Sequence, residues 1–166
     1  MSMDLFILRH GEAEPRSAGI VDVDRALTSH GREEIRWIAA WASSAGYSFD
    51  LIATSPLKRA EETAKIVAAA SGDRKKVEVW PSLAPEGDRN ALVEEIGRHG
   101  GIESLLIVGH EPLLSTFMSQ VIAGDDRASI LLAKGGMARI KNVTISKNLT
   151  GDLHWLITPR QVRAFK

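Results

Sequence analysis

Leu105-Leu106-Ile107-Val108-Gly109-His110-Glu111-Pro112 is the stretch whose reading decides the fold. Four apolar residues in a row, stopped by glycine and a polar turn, describe a strand buried on both faces rather than one with a wet side. A helical pattern follows, with Leu114, Phe117, Met118 and Val121 on its inner face and Gly124 at its close. A buried strand feeding directly into a helix is the repeating unit of a parallel sheet.

The same unit recurs on the N-terminal side. Leu5-Phe6-Ile7-Leu8 is a second continuous apolar run, closed at once by Arg9-His10-Gly11, and Leu51-Ile52-Ala53 is a third, closed by Thr54-Ser55-Pro56. Val77–Trp80 alternates as a further strand. Between them, Thr28 opens a helix that runs to about Ala45 and stops at Gly46, with Ile35, Ile38, Ala39 and Ala42 as its core stripe. Trp37 and Trp41 lie on a different face, to be covered by another element or left as a partner-binding patch. Ser55 as N-cap and Pro56 as first helical residue predict a second helix to about Ala70, with Ala60, Ala64, Val67 and Ser71 inward. A loop over Pro81–Gly87 leads to a third helix over about Asp88–His99, with Leu92 and Ile96 inward. Two strand-like stretches, Met137–Ile145 and Leu153–Ile157, flank the turn-rich Asn148–Asp152 and predict a hairpin at one edge of the sheet.

The chain of 166 residues has the size of one domain, residues 1–166, and shows no repeat, low-complexity tract or linker. Cysteine is absent, so disulfides, thiolate metal sites and thiol nucleophiles are excluded. Lys+Arg 21 against Asp+Glu 21 gives no electrostatic footprint for nucleic acid or an anionic membrane. The one N-terminal apolar run is too short for a signal peptide or a span, and the expectation is a soluble, cytoplasmic protein.

In an open parallel sheet, ligands bind beyond the carboxyl ends of the strands. That edge is where the unusual residues fall: Arg9-His10-Gly11, Ser55 to Arg59, Glu86 and Gly109-His110. Arg9 and Arg59 offer planar forks of donors suited to a tetrahedral oxyanion, and Arg59 lies at a helix start whose dipole adds to the same field. Phosphate is the natural ligand. A histidine in a cationic pocket tends to stay neutral, with a lone pair free to attack phosphorus. His10 is the better nucleophile candidate, because a tight turn at Gly11 could bring a carbonyl to its other ring nitrogen and fix the tautomer. His110 would then donate to the transferring phosphoryl group. A metal held by the two histidines is disfavoured by the two arginines and by the lack of a carboxylate–histidine cluster with ligand spacing.

Together, Arg9-His10-Gly11-Glu12, Leu27-Thr28-x-x-Gly31, Ser55-Pro56-x-x-Arg59-Ala60-x-x-Thr63-Ala64 and Gly109-His110 resemble the histidine phosphatase superfamily, which includes phosphoglycerate mutases and acid phosphatases. Gly-His-Glu-Pro and the C-terminal Trp155-Leu156-Ile157-Thr158-Pro159 are most similar to the short SixA-type phosphohistidine phosphatases. The resemblance implies a three-layer α/β/α sandwich with a mostly parallel sheet. It also implies transient phosphorylation of His10 and release by water, with Arg9, Arg59 and His110 clamping the phosphoryl group and no metal or organic cofactor.

Larger members of the family carry an acid after the third strand, and Glu86 lies in the corresponding segment, as a general acid or as a solvated loop carboxylate. An alkoxide leaving group needs a proton, whereas a phosphoimidazole protonated on its remote nitrogen departs neutral. The chain is too short for the insertions that roof the site in larger relatives, and an open pocket suits a phosphorylated side chain on another protein. The leading expectation is a phosphatase acting on the phosphohistidine of a signalling or phosphotransfer protein. A small-molecule phosphomonoesterase is the alternative, and a catalytically idle phospho-binding module ranks last because His10 and both arginines are present. Arg16, Arg25 and Lys134 are candidates for the pocket rim. Glu12 is a candidate to orient Arg9 or a pocket amide, or faces solvent, and His30, His99 and His154 are read as structural.

Overall fold

The alternation of buried strands and amphipathic helices produces a six-stranded sheet in the order β3-β2-β4-β1-β5-β6. A computed structural model describes residues 2–72 and 77–165. The strands are β1 (Ser2–Arg9), β2 (Leu51–Thr54), β3 (Val77–Val79), β4 (Ser104–Gly109), β5 (Met137–Ile145) and β6 (Leu149–Ile157). The first four are mutually parallel, with β4 between β1 and β2, while β5 and β6 complete one side as an antiparallel hairpin.

Because side chains alternate across a strand, β1 supplies both cores. Leu5 and Ile7 enter one with Leu92 and Ile96 of α3 (Arg89–Arg98) and Leu114, Phe117, Met118 and Val121 of α4 (Leu113–Ala123). Phe6 and Leu8 enter the other with Ile35, Ile38 and Ala39 of α1 (Ser29–Ser44), Ala60, Ala64 and Val67 of α2 (Lys58–Ala70), and Val162 of α5 (Pro159–Ala164). Helices thus cover both faces, giving the expected three-layer α/β/α sandwich. Among the described residues no helix is long and apolar enough to cross a membrane.

Several local expectations need correction. The second helix begins at Lys58, with Leu57 in the cap position, and Ser55 and Pro56 lie in the turn before it. Ser71 is its C-cap and half-buried; Thr63 and Ala68 join the buried stripe instead. Strand β6 starts at Leu149 because Gly151 is not a turn residue: a Cβ there would lie 2.6 Å from Ile140 Cγ2. It sits opposite an irregular stretch of β5 where Asn142 takes φ 55°, and such irregularities commonly place small residues at close approach. The short α5 was not anticipated, although Thr158-Pro159-x-Gln161 forms a full capping box. Trp41 is covered, meeting Trp155 of β6 edge-on at 5.1 Å, and Arg163 of α5 lies 4.8 Å over the Trp37 ring.

Candidate active site

Strands β1 and β4 run side by side in a register that pairs Arg9 with Gly109, so the residues after them leave the sheet together. The His10 backbone N–H donates to the Gly109 carbonyl at 3.1 Å, and the His10 and His110 ring centroids are 4.9 Å apart. Strand β2, on the other side of β4, delivers Ser55 and then Arg59 in the first turn of α2. Three strand ends thus bring Arg9, His10, Arg59 and His110 into one cleft of about 340 Å³.

The Gly11 turn acts as the sequence suggests. A Cβ at residue 11 would press against Ile35 at 2.9 Å, and with only hydrogen there the chain bends until the Gly11 carbonyl lies 2.7 Å from His10 Nδ1. In a neutral ring that contact puts the proton on Nδ1 and leaves a lone pair on Nε2. Arg59 Nε approaches Nε2 at 3.4 Å. Thr63 ties this corner together, its Oγ1 accepting from Gly11 N and donating to the Arg59 carbonyl.

Both rings are held neutral. Burial lowers His10 to about 4, helped by the charges of Arg59, Arg9 and Lys134 and opposed by the bond to Gly11. Burial likewise lowers His110 to about 3, with His10, Arg59 and Arg9 adding to the effect and Asp22 opposing it. His110 Nε2 lies 2.7 Å from Ser55 Oγ, which already accepts from Leu57 N. With the hydroxyl donating to Nε2, the ring proton falls on Nδ1.

Among the described residues, three buried side-chain polar atoms have no partner, and two belong to this cleft: Arg9 Nε and His110 Nδ1. Buried donors without an acceptor are costly. Arg9 and His110, lining the cleft beside the Arg59 fork, supply the donor chemistry that an oxyanion needs. A second cleft, of about 360 Å³ near Glu94, Gln120 and Lys147, contains no histidine.

The model of branch 1 of the histidine phosphatase superfamily matches residues 5–85. A phosphohistidine phosphatase SixA homolog of Haemophilus influenzae is 32% identical over 128 residues, covering 72% of this chain and 77% of that one. Phosphohistidine phosphatase SixA of Escherichia coli is 28% identical over 167 residues, 99% of each chain. The structure of the protein histidine phosphatase SixA complexed with tungstate superposes with a TM-score of 0.85 at 28% identity, covering 95% of this chain and 98% of that one. The chain belongs to the histidine phosphatase superfamily and is a hydrolase.

In this histidine phosphatase Arg16, Arg25, Lys134 and Glu86 line the cleft together with Pro85, Glu111 and Asp22. Glu12 is elsewhere: its Oε1 accepts from Thr28 Oγ1, which in turn caps α1 by accepting from Gly31 N. His30 pairs with Glu34 on α1, His99 stacks on Trp80, and His154 meets Arg139, all outside the cleft lining. Sequence reasoning missed two participants. Ser55 was read as a helix cap but bonds to His110. Asp22 was not singled out, although its i,i+3 spacing from Arg25 prefigures the 2.9 Å contact with Arg25 Nε. Among the described residues no group of three or more histidine, aspartate or glutamate side chains could hold a metal ion.

Proposed function

We propose that this histidine phosphatase removes the phosphoryl group from a phosphohistidine of another protein, by way of a phosphorylated His10. The observation that carries the reading is the convergence of Arg9, Arg59 and His110 in one cleft on a His10 whose Nδ1 is fixed to the Gly11 carbonyl, so that the lone pair of the neutral ring lies on Nε2, beside Arg59. The phosphoryl oxygens accept from Arg9, Arg59 and His110, while Nε2 attacks phosphorus in line with the leaving nitrogen. The P–N bond to the substrate breaks as the bond to His10 forms, and the substrate imidazole, protonated on its remote nitrogen, leaves neutral. Water then attacks the phosphorus on His10, one of its protons passes to solvent, and inorganic phosphate departs.

Two observations support a protein substrate. SixA, similar to this chain over nearly its full length, is a phosphohistidine phosphatase. The cleft is also rimmed by the exposed Arg16 and by loop residues on both sides, which leaves room for a side chain projecting from a larger surface. Glu86, at the rim beside Pro85, is the acid that ester substrates would call upon. A small-molecule phosphomonoesterase is the second reading, favoured by that one placement.

The test is a panel of a phosphohistidine-bearing protein, a phosphoserine peptide and common sugar phosphates. The phosphohistidine protein should show a kcat/KM at least about a hundredfold above the esters, a difference of about 3 kcal/mol in transition-state stabilisation. Equal or better turnover of an ester overturns the substrate assignment.

A further inference from the structure

We infer that Asp22 is an internal anion that competes with phosphate for Arg59 and so sets how weakly the site holds its product. The inference rests on the proposed reading of Arg59 as a phosphate donor and adds a residue that opposes it.

Asp22 belongs to an excursion of the chain closed at its base, where Ala13 bridges Leu27 and Glu14 N donates to the Ala26 carbonyl. Near its tip is a single 3-10 turn, Asp22–Asp24, with no buried residue and with Val21 and Val23 exposed. Apolar packing therefore does not seat this turn. Polar contacts hold it: Arg59 Nη1 donates to the Asp22 carbonyl at 3.0 Å, and Arg59 Nη2 reaches Asp22 Oδ2 at 3.5 Å. Arg25 Nε donates to Asp22 Oδ1 at 2.9 Å, and Arg16 Nε lies 3.7 Å from the same oxygen. Arg25 is itself fixed to the Glu14 carbonyl, so it holds Asp22 from within the excursion.

The consequence follows from counting donors. Arg59 commits Nε to His10 and one N–H of each Nη nitrogen to Asp22, so three of its five N–H bonds, including those of the Nη1–Nη2 end, are engaged before any substrate arrives. A phosphoryl group that takes the Nη1–Nη2 end of the fork bidentately displaces the carboxylate from Nη2. Arg25 and Arg16 can keep that carboxylate once Arg59 releases it, so the exchange needs no large movement. A negative charge left beside the bound phosphate repels it. The phosphorylated substrate outbids this repulsion with the contacts of its carrier, whereas free phosphate has only its own oxygens. Asp22 thus speeds product release and guards the site against the phosphate pool.

The experiment uses inorganic phosphate as the probe, measured by calorimetry and as a competitive inhibitor of turnover, on wild type, Asp22→Asn and Asp22→Glu. Asparagine keeps the shape and one acceptor but removes the charge. Asp22→Asn should bind phosphate about tenfold tighter, with KM lowered and kcat not raised. Asp22→Glu should restore weak binding. If Asp22 only braced Arg59, the asparagine variant would bind phosphate equally or more weakly, and that result overturns the inference. Wild type binding that is unaffected by Arg59→Gln overturns the reading of Arg59 as well. No measurable binding in either wild type or Asp22→Asn overturns both.

Discussion

The two ends of the parallel strands make opposite use of their polar groups. At the amino ends, where β2 and β4 begin, the exposed Asp50 carboxylate accepts from Glu103 N, Ser104 N and Ser104 Oγ, and Asp50 N donates to Ser104 Oγ. Nearby Arg139 is bonded to Asp4 and lies over the rings of Phe6 and Tyr47. Polar groups there find protein partners even with water at hand. At the carboxyl ends Arg9 Nε and His110 Nδ1 are buried and have none. The first end satisfies its polar groups within the fold, while the second leaves two buried polar atoms unsatisfied at a cost in stability.

Substitutions at the two ends should therefore separate activity from stability. His10→Ala has the largest expected effect. Turnover should fall at least about a thousandfold, and the alkali-stable phosphoenzyme that wild type shows after a brief reaction and basic quench should vanish. Full activity in that variant would break the comparison at its centre. His110→Ala should lower kcat by roughly 10²–10³, the usual effect of removing one oxyanion donor. Its melting temperature should fall by roughly a few degrees, because the bond to Ser55 Oγ is lost together with the partnerless Nδ1.

Acid stability sharpens the contrast next. His10 is lowered to about 4 in the folded chain, so as pH falls below its ordinary value of 6.5 the unfolded chain takes up the proton first. Stability is then full above pH 6.5 and declines as pH falls toward 4. By linkage the loss from this group at pH 4.5 is roughly 3 kcal/mol. Urea unfolding at pH 7 and 4.5 should show wild type losing that much more than His10→Ala; equal losses would mean the ring is not held neutral by burial.

Smaller effects are expected at the rims. Glu86→Gln should slow ester hydrolysis by about tenfold while sparing phosphohistidine, since only the alkoxide needs its proton; equal losses on both would count against that division. At the opposite end, Asp50→Ala should cost about 1 kcal/mol in urea unfolding and leave kcat/KM within about twofold. A large loss of activity there would show that the two ends are not independent.

Much of this contrast was legible in the sequence. Leu5–Leu8, Leu51–Ala53 and Leu105–Val108 announce buried strands through their own composition, and the residues that follow such strands must lie at one edge of a parallel sheet. Arg9, His10, Arg59 and His110 were found that way, and the Gly11 carbonyl on His10 follows from a contact between adjacent residues. Ser55 was misread because Ser-Pro is a local helix-start signal, and the competing bond to His110 crosses 55 positions. Gly151 was misread as a turn because close packing against Ile140 of the neighbouring strand leaves no mark on its own segment.

The sequence by itself determined which strands are buried, which ends carry cation and imidazole, and that no thiol takes part, because burial pattern and residue chemistry are local properties of the chain. Only the tertiary structure decided that the two imidazoles stand 4.9 Å apart, that Ser55 Oγ meets His110 Nε2, and that Asp22 occupies Arg59 from 37 positions away. Those are distances between segments brought together by sheet order. The sheet order follows from the packing of two cores at once, which no single stretch of sequence encodes.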